Sequence, residues 1–193
     1  MTPEPNAVPM PGPGTVLSVN LSPKKTMRKA RGTEATLVLD RGFENDAHAG
    51  DWHRQVSLLA QESIDTMVAK GLDVGPGDFA ENITTSGIDL LALPVGSVLR
   101  IGDGAVIEIS QIGKVCHAKC AIYYQAGDCV MPREGVFVVV REPGDVVVGD
   151  PIEIISLGDG TCDRSPEESL AESESVRAGN ECRKLEKGAS TDG

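Results

Sequence analysis

Apolar and polar positions in this chain alternate in short runs more often than they follow a helical period. TVLSVNL (15–21) and TEATLVL (33–39) alternate and read as strands, the second running into the turn Asp40-Arg41-Gly42. QVSLLA (55–60) is a continuous apolar run, the pattern of a buried strand. QESIDTMVAK (61–70) places Ile64, Met67 and Val68 at helical spacing, with Gly71 positioned as a C-terminal cap. Beyond GPGDFAENITT come DLLAL, SVLRI, AVIEISQI, VFVVVRE, DVVVG and PIEII, each bounded by Gly, Pro or Asp. Gly96, Gly102, Gly104, Gly144 and Gly149 suit the tight connections between such strands. So many short strands with so few helical segments predict a mainly β fold: a β-barrel with a few short helices.

The two ends lack this pattern. Residues 1–14 hold five of the 12 prolines and read as a flexible, partly extended arm. Residues 158–193 carry nine acids against five bases and few large apolar side chains, so a disordered acidic tail is expected there. A weak helix over 166–175, with Pro166 near its first turn, is the one element the tail suggests. The folded domain is placed at about 15–157.

Charge narrows the function classes. The 18 Lys and Arg face 29 Asp and Glu, giving a net charge of -11, which disfavours broad neutralisation of nucleic-acid phosphates. Aromatics are 3% of the 193 residues, too few for a base-stacking surface. No run approaches the roughly 18 apolar residues of a spanning helix, and the N-terminus lacks the basic and apolar regions of a secretory signal, so a cytoplasmic protein is expected. Five cysteines in such a chain suggest thiol or metal chemistry more than a disulfide framework.

Candidate chemistry gathers in four segments. RGFENDAHAGDWHRQVSLL (41–59) packs Asp46, His48, Asp51, His53 and Arg54 into nine positions beside the only tryptophan. It reads as an anion- or metal-binding loop, or as a polar approach to a strand. GPGDFAENITTSGIDL (75–90) sets Gly75, Gly77 and Gly87 beside Asp78, Glu81 and Asn82. Exposed amides there would suit a phosphate, and a structural turn would use the same residues. KVCHAKCAIYYQAGDC (114–129) holds Cys116, His117, Cys120 and Cys129; Lys114, His117 and Lys119 would favour a Cys116 thiolate. A zinc site from these cysteines and His117, or plain burial of Cys120 and Cys129, are the competing readings. Finally, KKTMRKAR (24–31) concentrates five cations in an acidic chain, with Lys24 and Arg28 as candidates to receive a phosphorylated ligand.

VLSVNLSP, RGFENDAHAGDWHRQVSLL, GDFAENITTSGIDL, LPVGSVLRIGDGAVIEISQIGKVCHAKC and VVVGDPIEI, in this order, resemble the MOSC domain, the module found at the C-terminus of molybdenum cofactor sulfurases and as small stand-alone proteins. The Cys-rich VCHAKCAIYYQAGDCVMPREGVF is similar to the compact bacterial type. The resemblance covers about 15–157 and implies a β-rich barrel that binds molybdenum cofactor of the molybdopterin kind. It places the family's functional cysteine, a sulfur carrier or molybdenum ligand, at Cys116, and its polar pocket at His48, His53, Arg54, Glu81 and Asn82. The aminotransferase-like domain of the large sulfurases has no counterpart here, so no pyridoxal phosphate role is expected. Two functions follow from the resemblance. One is a carrier passing sulfur or metal to molybdenum cofactor biosynthesis proteins or molybdoenzymes. The other is a small molybdoenzyme reducing N-hydroxylated compounds with electrons from another protein.

Overall fold

The computed structural model describes residues 13–25, 28–115 and 121–163. The proline-rich arm up to residue 12, the tail from residue 164 with its weak helix, and the segment Cys116–Cys120 lie outside the described residues.

In chain order the strands are β1 (Gly14–Leu21), β2 (Ala30–Gly32), β3 (Glu34–Val38), β4 (Gly42–Phe43) and β5 (Val56–Ala60). Then follow β6 (Ile83–Ser86), β7 (Val98–Ile101), β8 (Ala105–Ile112), β9 (Val136–Glu142), β10 (Gly144–Val147) and β11 (Pro151–Ser156). The helices are α1 (Gln61–Ala69), α2 (Ala121–Ala126) and α3 (Met131–Glu134). Seven strands close a barrel in the order β11-β7-β8-β9-β5-β6-β1, with β1 pairing back to β11 through Gly14 and Thr15. Only β5 and β6 pair in parallel, and α1 lies in the connection between them. β2 extends the sheet beyond β1, while β10, β3 and β4 form a separate small sheet. The mainly β barrel read from the alternation is the fold observed.

Burial is two-sided along β5 and β9, which explains why those strands read as continuous apolar runs. Leu58, Val136, Val138 and Val140 belong to the barrel core with Val16, Ile83, Leu99 and Ile107, and the small sheet adds Leu37, Phe43 and Val146. Leu59 and Phe137 face a second core, where Ile64 and Met67 of α1 meet Ile122, Cys129, Val130 and Met131. Gly71 at φ +89° ends α1 by returning its amide to Val68 O at 2.8 Å. DLLAL is not a strand: Asp89 Oδ1 accepts from the amides of Leu91 and Ala92 and folds Leu90–Ala92 into a 3-10 turn. Among the described residues no helix is long and apolar enough to cross a membrane.

Packing continues past residue 157. The Gly158 amide donates to Ser97 Oγ at 3.0 Å, and the Gly160 amide donates to Val95 O at 3.0 Å. Cys162 is buried against the barrel core. Arg141 joins Glu108 at 2.6 Å and also pairs with Asp163. A side chain on Gly96 (φ +86°) or Gly158 would run into the backbone of the facing segment. This strap is made of small and polar residues, which hydropathy does not distinguish from a tail. A chain ending at Leu157 should therefore melt about 5 °C below one ending at Asp163. Equal midpoints in calorimetry would show that the strap contributes nothing.

Candidate functional site

The site is organised by Asp46, in the loop between β4 and β5. Its carboxylate is buried, and four donors converge on it, two from the β1–β2 connection, one from its own loop and one from the start of β6. Lys29 Nζ donates to Oδ2 at 2.6 Å, with the Ser22 amide at 3.1 Å and Asn82 Nδ2 at 3.2 Å on the same oxygen. Oδ1 accepts the His48 amide at 2.9 Å. Burial pushes the Asp46 carboxyl up, but the Lys29 bond and the amide of His48 bring it below the usual range, so it is ionised. Burial pulls Lys29 below the ordinary lysine value while its bond to Asp46 opposes that shift.

Asn82 continues the network because it offers both donors and acceptors. Its Oδ1 accepts Ser57 N and Oγ, each at 3.1 Å, and its Nδ2 also donates to Asn20 O at 3.2 Å. One side chain thus ties β1, β5 and the start of β6 to the Asp46 loop. Beneath it, Glu81 is fully buried; Oε1 accepts Gly77 N at 2.5 Å and Thr84 Oγ1 at 2.8 Å. Glu81 Oε2 has no hydrogen-bond partner among the described residues, and burial pushes this carboxyl up.

These residues frame a cleft of about 360 Å³ beside the starts of β5, β6 and β9 and the end of β8, which the strand pairings bring to one level. Lys29, Arg54 and Lys114 line it, and among the described residues no carboxylate does. The Arg54 guanidinium carbon stands 5.0 Å from the Trp52 ring centroid and 5.7 Å from that of Phe137, and Lys114 Nζ lies 5.9 Å from Phe137. Arg54 Nε is buried with no hydrogen-bond partner among the described residues. His48 is held below the ordinary imidazole value by burial and by the charge of Lys29, so it is neutral at neutral pH. A cationic cleft with aromatic walls, in a chain of net charge -11, can attract an anion and offer a flat face to it.

Of the residues singled out from sequence, His48, Arg54 and Asn82 line this cleft. His53, Glu81, Lys24 and Arg28 are not among its lining. His53 packs edge-on against Trp52, and its carbonyl accepts Ser110 Oγ. Lys24 is exposed, and Arg28 pairs with Asp78 at 2.9 Å. Cys116 lies outside the described residues; the chain leaves β8 through Lys114 and Val115, both lining the cleft, and Cys116 follows Val115. Sequence reading missed Lys29, Lys114, Trp52 and Phe137 as wall residues. Lys29 was hidden in the basic run, whose other described members are exposed. The glycine amides do not await a phosphate: Gly75 N donates to Asp78, Gly77 N to Glu81 and Gly87 N to Glu62, so 75–90 is a set of carboxylate-braced turns.

For a metal, Glu108, Cys162 and Asp163 bring ligand atoms within 4.8 Å of one another. Arg141 pairs with both carboxylates and lies 3.8 Å from Cys162 Sγ, so a guanidinium stands where a cation would bind. Of the cysteines in a zinc reading, Cys129 alone is described, and it is buried in the second core.

The sequence matches the MOSC domain family over residues 45–153, more than half of the chain. The chain belongs to the MOSC domain family. Solved structures of the same fold include YuaD from Bacillus subtilis, at 18% identity and TM-score 0.63, covering 74% of this chain and 96% of that one. YiiM from Escherichia coli shares 20% identity at TM-score 0.58, covering 94% and 96%. YiiM from Geobacillus stearothermophilus shares 16% at TM-score 0.59, covering 86% and 83%. At these identities the likeness is one of fold. No curated protein matches the sequence significantly.

Two stability tests follow for this MOSC domain. Asp46→Ala strands Lys29 and three further donors, whereas Lys29→Met leaves Asp46 with three. Urea unfolding should show Asp46→Ala costing about 3–5 kcal/mol and Lys29→Met clearly less; the reverse order would contradict the network. Glu81 has a raised folded-state value, so the folded protein binds its proton more tightly than the unfolded chain. Its contribution is fully present below about pH 4.3 and declines as pH rises toward the folded value. Stability relative to Glu81→Gln should fall over that interval, and a difference independent of pH would remove Glu81 as the cause.

Proposed function

We propose that this MOSC domain binds a molybdenum cofactor of the molybdopterin type and acts in sulfur or metal transfer through Cys116. The observation that carries this reading is the cleft: among the described residues it is lined by three cations, two aromatic faces and no carboxylate, and its lining includes Val115, which precedes Cys116. The donor set fits such a group. Lys29, Arg54 and Lys114 would hold its phosphate, with Arg54 Nε, buried and without a partner among the described residues, as a donor already desolvated. Trp52 and Phe137 would face its planar ring, and Ser57 and Asn82 would offer polar contacts to the ring edge. When bound, the group supplies a molybdenum centre that accepts a soft thiolate ligand or exchanges sulfur. The chain's own contribution is to hold and orient the group and to present one thiol. A thiol flanked by Lys114, His117 and Lys119 in sequence is favoured as thiolate. Recipients of sulfur or metal would be molybdenum cofactor biosynthesis proteins or molybdoenzymes.

The full-length protein from a host that makes molybdopterin should co-purify with pterin and molybdenum near one equivalent. Arg54→Ala with Lys114→Ala should lower the pterin content at least tenfold, about 1.4 kcal/mol or more. Cys116→Ser should retain pterin and lose molybdenum or transferable sulfur, because an alcohol is a poor soft-metal ligand and carries no persulfide. Wild-type protein without pterin, or Cys116→Ser with unchanged metal and transfer, would overturn the reading.

A further inference from the structure

His48 has a built feature that holding a cofactor does not by itself require. Its ring is 36% exposed at the cleft wall, yet Nδ1 is buried, has no hydrogen-bond partner among the described residues and stands 3.4 Å from Asp46 Oδ1. A carboxylate oxygen at that distance is a ready acceptor for an imidazolium N–H. What opposes the second proton is also in place. Lys29 holds the other oxygen of the same carboxylate at 2.6 Å, and Lys25 adds its charge from the same segment between β1 and β2. Across the cleft stand Lys114, just beyond β8, and Arg54, ahead of β5. Glu81, the other carboxyl near Lys29, is fully buried, and burial pushes it up. Among these described groups Asp46 is the carboxylate that faces His48 Nδ1, and Lys29 already holds it.

An anion seated among Lys29, Arg54 and Lys114 reverses that balance. We propose that His48 takes up a proton when an anion enters the cleft, forming a charge-assisted hydrogen bond from Nδ1 to Asp46 that fastens the 46–54 loop against the ligand. The proposal rests on the cleft being an anion site, and it makes ligand retention depend on pH. The bound state carries the extra proton, so affinity is greatest below the free-state titration of His48. It declines as pH rises from the free-state to the bound-state midpoint and levels off beyond. A ligand is held in more acidic conditions and released in more alkaline ones, with His48 as a positioning residue.

Sulfate is the suitable probe because it stays a dianion throughout this range. The His C2–H resonances of the full-length protein, assigned with His48→Gln, are titrated with and without saturating sulfate, and sulfate affinity is measured by calorimetry at each pH. The His48 midpoint should rise by about one pH unit on binding, with sulfate affinity falling about tenfold across the interval. His48→Gln should bind sulfate with affinity independent of pH. Sulfate binding with an unmoved His48 midpoint would overturn the proton uptake while leaving the anion cleft intact. No sulfate binding at any pH would overturn the cleft reading and this proposal with it.

Discussion

A single buried ion pair, Lys29 with Asp46, sets the geometry on which the cleft depends. Two charges, each with only 2% of the side chain exposed, are expensive to bury, and their mutual attraction alone does not repay the desolvation. The fold meets that cost by bringing Ser22, His48 and Asn82 to the same carboxylate. The consequence is positional: the basic segment before β2, the loop before β5 and the entry to β6 are pinned at one point. Lys29 is therefore fixed at the cleft wall, and Asp46 is engaged internally, so the charged side chains among the described lining residues are cationic.

The barrel makes this arrangement available. β5 and β6 run in parallel, β9 runs against β5 and β8 against β9, and the pairings set Leu58 beside Ile83 and Val136, and Val136 beside Ile112. Ser57, Asn82, Phe137 and Lys114 reach the cleft because they sit at or beside these paired strand ends, which form its rim. The second core beneath α1 to α3 backs this rim, with Phe137 shared between core and cleft. Asp128 anchors that helical layer through Arg133 and Lys70, and the Arg133 bond holds its carboxyl well below the usual range. Rim and helices are thus one packed unit.

Strand periodicity made most of the barrel legible, because alternation and two-sided apolar runs report directly on the burial of pleated strands. DLLAL misled because its apolar residues suit a strand while Asp89 redirects the backbone through its own side chain. The strap to Asp163 was invisible because it packs through glycine, hydrogen bonds and one cysteine. For the site, the segments were legible and the division of labour within them was not. Residue type marked His48, Arg54 and Asn82, but nothing in KKTMRKAR separates the buried Lys29 from its exposed neighbours. Glu81 reads as a pocket carboxylate in sequence, whereas folding turns it inward to brace the Gly77 turn.

The one tryptophan of the chain, Trp52, stands at the cleft and is 39% exposed, so its emission reports occupancy without a label. Titrating the full-length protein with a pterin phosphate should quench that emission saturably, less strongly as salt is raised and with clearly weaker affinity in Arg54→Ala. Emission that stays unchanged, or quenching that is linear and indifferent to Arg54, would contradict the cleft as the cofactor site.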